Sequence, residues 1–385
     1  MVTLFRNAVW AAIALVSLGA CASAPFPGGS IDHRAEALEA GRRVADWQLG
    51  NLDDYSYLRT FQRQAADPRD WLQAAFYIGL GTFAEVSGDH THLEAIAELG
   101  DREHWGFGER PRHADADAIG QVWLRAAAGQ AGTARAMRLA PARARFDAVL
   151  ADPSTVSLRF DETPGERPCQ ARWCWSDALF MAPPAWFHLA QLTGEDRYAS
   201  HADAEFRATV DLLYDPTDHL FYRDSRFLDR RDAEGRKIFW SRGNGWVYAG
   251  LVRILELMPA DDPRRAFYLD LYRNMSARLP ALQTARGYWP PSLLDPSGPP
   301  ESSGTAFFVY GLAWGVNEGV LEVDVYAPVA RRGWRFLLSA IDDQGRLGWV
   351  QQVGSAPDEV RPDDTQLYGS GAFLLAASQM ARRDW

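Results

Sequence analysis

The stretch Trp240-Ser241-Arg242-Gly243-Asn244-Gly245-Trp246, which continues to Leu255 as VYAGLVRIL, decides the fold. A polar cluster leads into an apolar run rich in Gly and small residues, which predicts a buried helix. Five further segments have the same design and start roughly 45 to 65 residues apart, one helical hairpin with its loops. They are Trp71–Phe83, Asp115–Ala126, Asp177–Leu189, Gly304–Gly315 and Gly369–Ser378.

Amphipathic stretches lie between these segments, for example Asp261–Leu279 and Tyr326–Ile341. Their 3.6-residue period is typical of surface helices. Six apolar inner helices alternating with six amphipathic ones predict an all-α (α/α)6 toroid, and runs with strand-like alternation are too scarce to predict a sheet. Pro183-Pro184 either kinks the third inner helix or marks its first turn, which would leave Asp177 on the preceding loop.

The composition narrows the classes of partner. Hydrophobic residues make up 47 % of the 385 residues and charged residues 23 %, which supports a large packed core. The formal net charge of −10 argues against nucleic acid or an anionic membrane as a partner. Fifteen Trp offer flat faces that suit sugar rings as well as cores. No metal-ligand or nucleotide-binding motif occurs, so neither a metal nor an organic cofactor is expected.

The N-terminus predicts export. Arg6 precedes an apolar run from Ala8 to Ala20, which resembles a secretory signal and is too short to span a membrane. Leu18-Gly19-Ala20-Cys21 resembles a bacterial lipobox, and Ala22-Ser23-Ala24 offers a competing cleavage site. We expect a signal in residues 1–24 and one domain over 25–385. The protein would then be periplasmic or an outer-membrane lipoprotein, with lipid on Cys21 as its membrane contact.

Only Cys169 and Cys174 remain beyond the signal. In an oxidising compartment they can form a disulfide across the short loop between them. Two free buried thiols are the alternative.

Inner helices that all run the same way bring their N-terminal ends to one mouth of a toroid. Asp177 is the first candidate there, because its flanking Trp residues would desolvate the carboxyl and favour the protonated form that a general acid needs. Asp115 would supply a second carboxylate, although Asp117 can equally point inward. Helix N-capping is the alternative role for each of these acids.

A second group of residues could bind an acidic sugar at this mouth. Arg242 offers a planar fork for a carboxylate, and Arg223 is the other candidate for that role. The alternative for Arg242 is a structural turn with a solvated side chain, and the alternative for Arg223 is a salt bridge to Asp224 or another acid. The remaining candidates for substrate contact are Asn244, Trp246, Trp175, His113 and Asp117.

The chain resembles glycoside hydrolase family 105, the unsaturated rhamnogalacturonyl hydrolases, which are related to the family 88 unsaturated glucuronyl hydrolases. The resemblance covers most of residues 45–380. It rests on HADADAIGQVWL, WCWSDALFMAPPAW, LTGEDRY, LFYRDSRF, FWSRGNGWVYAGLVRILELMP, YWPPSLLDP, ESSGTAFFVYGLAWGVNEG and YGSGAFLLAASQM. Two departures stand out: Ala116 replaces the second of two adjacent Asp, and Arg223 stands where some members have His.

The resemblance implies a cofactor-free hydrolase with a substrate left by polysaccharide lyases. Asp177 would protonate C4 of the unsaturated uronate and then accept a proton from the water that attacks C5. Asp115 would hold sugar hydroxyls or orient this water, and Arg242 or Arg223 would neutralise the substrate carboxylate. A pectin-type oligosaccharide of the rhamnogalacturonan class is the expected substrate.

Three other functions remain possible on the sequence alone. The first is an unsaturated glucuronyl hydrolase acting on another polysaccharide. The second is a sugar epimerase on the same toroid, which would need a histidine acid/base pair, whereas only His113 begins an inner helix. The third is a glycan-binding lipoprotein without activity, against which Asp177, Asp115 and Arg242 together argue.

Overall fold

Helices follow one another along nearly all of the chain that this computed structural model describes, residues 33–160, 168–383 and 385. The predicted signal and Cys21 lie outside those residues. The helices are α1 (His33–Leu49), α2 (Trp71–Ser87), α3 (His90–Arg102), α4 (Ala114–Ala128), α5 (Gly132–Ala151), α6 (Ala178–Met181), α7 (Pro183–Thr193), α8 (Asp196–Leu213), α9 (Ser241–Leu257), α10 (Arg265–Arg278), α11 (Ser302–Asn317), α12 (Val323–Ser339) and α13 (Leu367–Met380).

Six inner elements form a closed ring. Going round it, α2 packs on α4, α4 on α6 and α7, these on α9, α9 on α11, α11 on α13, and α13 on α2 again. Each remaining helix covers the ring from outside: α1 packs on α13, α3 on α2, α5 on α4, α8 on α7, α10 on α9 and α12 on α11. The predicted (α/α)6 toroid is confirmed, and each of the six apolar segments is an inner element.

Small residues let the inner helices crowd together. A Cβ on Gly79 of α2 would lie 2.2 Å from the Gly371 carbonyl oxygen of α13, and one on Gly371 would lie 2.1 Å from the Ala75 carbonyl oxygen. The backbones of α2 and α13 are therefore in contact, and any side chain at position 79 or 371 would keep them apart. This close approach explains the Gly-rich pattern of these segments.

The proline pair divides the third inner element. α6 ends at Met181, Pro183 opens α7, and Asp177 is the last residue before α6. Pro suits the first helical position because its missing N–H would have no partner there. The break therefore leaves Asp177 at the start of a short helix, close to the preceding loop.

Two small features tie the loops near Asp177. Strands β1 (Tyr214–Asp215) and β2 (Leu220–Phe221) form an antiparallel pair that the sequence analysis did not predict. Cys169 and Cys174 are joined in a disulfide, so the first of the two thiol alternatives is correct.

Within the described part of the chain, no helix has the length and apolar character needed to cross a bilayer.

Candidate active site

The first turns of five inner elements meet through aromatic side chains. Trp246 contacts Phe180 and Phe307 with ring centroids 4.7 Å and 4.3 Å apart, and Trp71 stacks on Tyr368 at 5.4 Å. Trp71 also meets Trp246 edge-on. These residues lie early in α2, α6, α9, α11 and α13, so the N-terminal ends converge at one mouth as predicted.

Asp177 lies at this mouth with little contact to solvent, since the residue is only 9 % exposed. Its Oδ2 accepts a hydrogen bond from Ser176 Oγ at 3.1 Å and lies 3.6 Å from Arg223 Nε. Burial raises the pKa of the Asp177 carboxyl, and Arg223 and Arg242 oppose that rise. Asp177 makes no capping hydrogen bond to α6, so the N-cap role finds no support.

Arg223 is held against Asp177 by backbone pairing and by a neighbouring acid. Ser176 N–H donates to the Arg223 carbonyl at 2.8 Å, and Arg223 Nη1 donates to Asp224 Oδ2 at 2.8 Å. Arg226 also donates to both oxygens of Asp224. Arg223 Nε is buried and has no hydrogen-bond partner among the described residues. A buried, unpaired N–H beside a carboxyl group is suited to bind an incoming acceptor oxygen.

Two carboxyl groups from neighbouring helix starts form the other side of the mouth. Burial raises the pKa of Asp115 to about 6, against the opposing charges of Arg110 and Arg223. Burial and the nearby Asp115 raise the pKa of Asp70 to about 7. Arg110 Nη2 lies 3.7 Å from Asp115 Oδ2, and the Arg110 side chain is 51 % exposed. The carboxyl groups of Asp115 and Asp70 can therefore bind sugar hydroxyls in either protonation state. The exposed guanidinium of Arg110 lies at the rim of the mouth.

Asp70 was missed by the sequence analysis. It caps α2 by accepting from Leu72 N–H at 3.3 Å, an ordinary role for Asp that gives no sign of function in the sequence. Asp115 is not an N-cap: His113 occupies that place, and its Nδ1 accepts from Asp115 N–H at 3.2 Å.

His113 and Trp175 pack together at the same end. Their ring centroids lie 5.0 Å apart, and both residues are buried. Burial, followed by the charge of Arg110, lowers the pKa of His113 to about 3, so the imidazole is neutral at physiological pH. His113 thus holds the backbone N–H of Asp115, and Trp175 packs against the imidazole.

Arg242 is nearly enclosed, with 1 % of the residue exposed. Its Nη1 and Nη2 donate to the carbonyls of Gln351 and Gln352 at 2.6 and 2.9 Å. Its guanidinium lies 4.4 Å from the Trp240 ring and 4.7 Å from the Tyr368 ring. Arg242 therefore anchors the 351–352 loop, and it acts on Asp177 through its charge.

Asn244 and Trp246 are likewise buried in internal contacts. Asn244 accepts from Phe221 N–H at 2.7 Å and donates to the Phe221 and Trp240 carbonyls at 3.0 Å. These bonds fasten β2 to α9 and so set the position of the chain that continues to Arg223. Trp246 forms part of the aromatic floor beneath the mouth.

Asp117 faces away from the mouth. Its Oδ1 accepts from Arg145 Nε at 2.6 Å, and its Oδ2 accepts from Trp186 Nε1 at 3.1 Å. The Asp117 carboxylate thus joins α4 to α5 and α7. It points away from Asp115 because residues two positions apart lie on different sides of a helix. This geometry gives the predicted substrate contact of Asp117 no support.

Across residues 33–160, 168–383 and 385, no three His, Cys, Asp or Glu are grouped to hold a metal ion.

Replacing Arg242 by Met is expected to lower the free energy of unfolding by about 3 kcal/mol, since two buried carbonyls lose their donors. Chemical denaturation of both proteins measures this. If the Arg242→Met protein were as stable as the wild type but had a raised KM, Arg242 would bind substrate and would not anchor the 351–352 loop.

Asp70→Asn is expected to stabilise the protein only at higher pH. The raised pKa of Asp70 means that the folded state holds its proton more tightly than the unfolded chain. The contribution of Asp70 to stability is therefore complete below its unfolded pKa and is lost as pH rises through about 7. Asn keeps the cap without this loss. We expect Tm to rise by a few degrees at about pH 8 and to change little at about pH 4. Equal shifts at both pH values would contradict this reasoning.

Comparison with known proteins identifies the family of the chain. Residues 41–384 match the sequence family described as Glycosyl Hydrolase Family 88. An unsaturated 3S-rhamnoglycuronyl hydrolase of Alteromonas sp. (strain LOR) is 39 % identical over 368 residues, covering 92 % of this chain and 87 % of that protein. A protein of the same name from Formosa agariphila is 34 % identical over 326 residues, covering 83 % and 86 %.

Solved structures agree with the sequence comparison. A glycosyl hydrolase family 88 protein from Bacteroides vulgatus superimposes with a TM-score of 0.77 at 27 % identity, covering 91 % of this chain and 99 % of that one. The resemblance found in the sequence motifs is thus confirmed over the whole toroid. This chain belongs to glycosyl hydrolase family 88 and is a glycoside hydrolase.

Proposed function

We propose that this enzyme removes a Δ4,5-unsaturated uronate from the non-reducing end of lyase-generated oligosaccharides. One observation carries the proposal. The carboxyl group of Asp177 is buried and has a raised pKa, and it lies 3.6 Å from Arg223 Nε, which has no hydrogen-bond partner among the described residues. The first group can give a proton, and the second can bind a carboxylate. An unsaturated uronate presents both a proton acceptor, C4, and a carboxylate, on C5.

The reaction needs one carboxyl group in two roles. Asp177 donates its proton to C4 of the enol ether, and positive charge develops at C5 and the ring oxygen. Water then attacks C5, and the Asp177 carboxylate accepts the proton that this water loses. The resulting hemiketal opens and releases the remaining sugar. Net consumption is one water, and Asp177 ends protonated as it began.

The surrounding residues have separate tasks in this scheme. Arg223 binds the substrate carboxylate, with Asp224 fixing the direction of its guanidinium. Asp115 and Asp70 bind sugar hydroxyls, and the half-buried Trp71 ring offers a face to the sugar. Arg242 and Asn244 support the loops from beneath.

The sugar next to the uronate is proposed to be a rhamnose with sulfate at O3, because both relatives are named unsaturated 3S-rhamnoglycuronyl hydrolases and we interpret 3S as a 3-sulfate. The exposed Arg110 at the rim of the mouth is a suitable partner for a sulfate. A pectin-type substrate, in which galacturonate neighbours an unsulfated rhamnose, is the alternative that the motifs alone favoured.

Unsaturated disaccharides distinguish these substrates. Loss of the ultraviolet absorbance of the C4=C5 bond is followed with unsaturated uronyl-rhamnose, with and without 3-sulfate, and with a rhamnogalacturonan disaccharide. We expect the highest kcat/KM for the sulfated compound. Faster turnover of the unsulfated compounds would overturn the sulfate assignment, and no turnover of any of them would overturn the proposed function.

Export and lipidation are proposed on the N-terminal sequence alone. The signal would lie within residues 1–24 and be cleaved directly before Cys21, which would then carry lipid and hold the enzyme on a bacterial membrane. Mass spectrometry of the mature protein tests this directly. A free N-terminus at residue 25 would exclude the lipid, and an intact Met1 would exclude the signal.

A further inference from the structure

A second opening lies at the opposite end of the toroid from Asp177. A cavity of about 900 Å³ occupies it, called here the distal cavity. The C-terminal halves of five inner helices and the residues after the sixth contribute to its wall, with Thr82, Gln121, His188, Arg253, Trp314 and Arg382 among them. Its volume is within the range of small-molecule sites.

Positive charge collects in the distal cavity although the chain as a whole is acidic. Five arginines and three glutamates line it, so its formal charge is 5 − 3 = +2, against −10 for the chain. Such a local excess favours an anionic ligand.

Four of those five arginines already have strong acceptors. Arg125 pairs with Glu85, and Arg382 lies 3.5 Å from Glu318. The other two neutralise helix ends: Arg138 donates to the Ala126 carbonyl, and Arg265 donates to the Leu255 and Met258 carbonyls.

Arg253 differs from those four. It is only 8 % exposed and lies within α9, and among the described residues no carboxylate oxygen is within 4 Å of its nitrogens. Its Nε donates to Gln121 Oε1 at 2.6 Å, and Nη1 lies 3.4 Å from Thr82 Oγ1. The acceptors of its two hydrogen bonds are neutral, and Glu256 attracts it from beyond salt-bridge distance. An anion that enters beside this buried cation stabilises it further.

Hydroxyl-binding groups surround Arg253. Glu256, one turn further along α9, lines the cavity and makes no salt bridge within the described chain. His188 faces the same space, and burial and the charges of Arg125 and Arg253 lower its pKa to about 3, so it is a neutral donor and acceptor. Carboxylate, imidazole and amide groups beside one guanidinium suit a ligand with one negative charge and several hydroxyls.

We propose that the distal cavity binds an acidic monosaccharide, with Arg253 pairing with its carboxylate and Glu256, Gln121 and His188 binding its hydroxyls. This site is separate from the catalytic mouth and does not depend on which oligosaccharide the enzyme cleaves.

Calorimetric titration with D-glucuronate tests the proposal. D-glucose supplies the hydroxyls without the charge, and inorganic sulfate supplies charge without the ring. Arg253→Met removes the proposed partner, and Arg382→Met is the matched control because it removes an arginine from the same cavity that already has a carboxylate. Arg223→Met removes the corresponding site at the catalytic mouth.

We expect saturable glucuronate binding that Arg253→Met weakens at least about tenfold, as a charge-assisted contact is lost. Arg382→Met and Arg223→Met should retain it, and hydrolysis by Arg253→Met should remain near wild type. Absence of binding to the wild-type protein, wild-type binding by Arg253→Met, or loss in Arg223→Met would each overturn the proposal. Sulfate binding as tightly as glucuronate would overturn the sugar assignment.

Glu256→Gln keeps the size of the side chain and covers the case in which Arg253→Met fails to fold. It should weaken glucuronate binding about threefold or more, because the amide accepts fewer hydroxyl hydrogen bonds. Unchanged glucuronate affinity in Glu256→Gln would then count against the site.

Discussion

Replacing Asp177 by Asn is expected to lower kcat about 10³-fold while the protein stays folded, because the amide can neither donate the proton to C4 nor accept one from water. The two side chains have nearly the same volume. Burial raises the pKa of Asp177, so ionising it in the folded protein costs free energy that Asn avoids. We therefore expect a Tm at neutral pH equal to that of the wild type or slightly higher.

Steady-state rates on an unsaturated disaccharide, together with thermal unfolding, measure both effects. Asp115→Asn is the comparison, since it alters a neighbouring carboxyl that holds hydroxyls, and its loss in kcat/KM should be about 10–100-fold. If a well-folded Asp177→Asn protein kept a tenth of the wild-type rate, Asp177 would not be the catalytic acid and base.

Most of the fold was predictable because each inner helix repeats a local pattern. A segment such as Gly243–Leu255 is apolar on every side, and only a helix enclosed by others can bury such a surface. Six such segments alternating with amphipathic ones leave few arrangements besides a ring. The starts of the six inner segments were also placed within two residues, since polar residues precede each apolar run.

The direction in which side chains point was harder to predict. Arg242 has the sequence setting of a ligand-binding residue, with glycines and Trp around it, yet its Nη1 and Nη2 donate to the Gln351 and Gln352 carbonyls. Those partners are about a hundred residues away, and no local pattern reports them. Asp117 is a similar case, because its partner Arg145 belongs to another helix.

Asp70 was missed for a different reason. An Asp before a helix is such a common N-cap that its presence carries no signal of function. Only the packing of α2 beside α4 brings its carboxyl into the electrostatic field of Asp115. The raised pKa of Asp70 is thus a property of the ring and not of the local sequence.

Arg223→Met is expected to lower kcat/KM by about 10–100-fold, mainly through a higher KM, because the substrate carboxylate loses a charge-assisted partner. The sequence analysis placed Arg242 first and Arg223 second as candidates for this contact. Both arginines have a buried Nε without a hydrogen-bond partner among the described residues. The geometry favours Arg223 because its Nε lies 3.6 Å from Asp177 Oδ2, whereas Arg242 is enclosed by two rings and donates to two carbonyls. Arg226→Met is the matched control, for it also removes a donor to Asp224 but leaves in place the Arg223 Nε that lies 3.6 Å from Asp177.

The pH profile separates substrate binding from a merely structural role for Arg223. The Arg223 charge opposes the rise in the pKa of Asp177, so its removal raises that pKa further. Asp177 must be protonated to act as the acid, and activity is lost as pH rises through its pKa. In Arg223→Met the alkaline limb of kcat should therefore move to higher pH, whereas in Arg226→Met it should stay in place. An alkaline limb that does not move, with an unchanged KM, would mean that the guanidinium of Arg223 acts on neither the substrate nor Asp177.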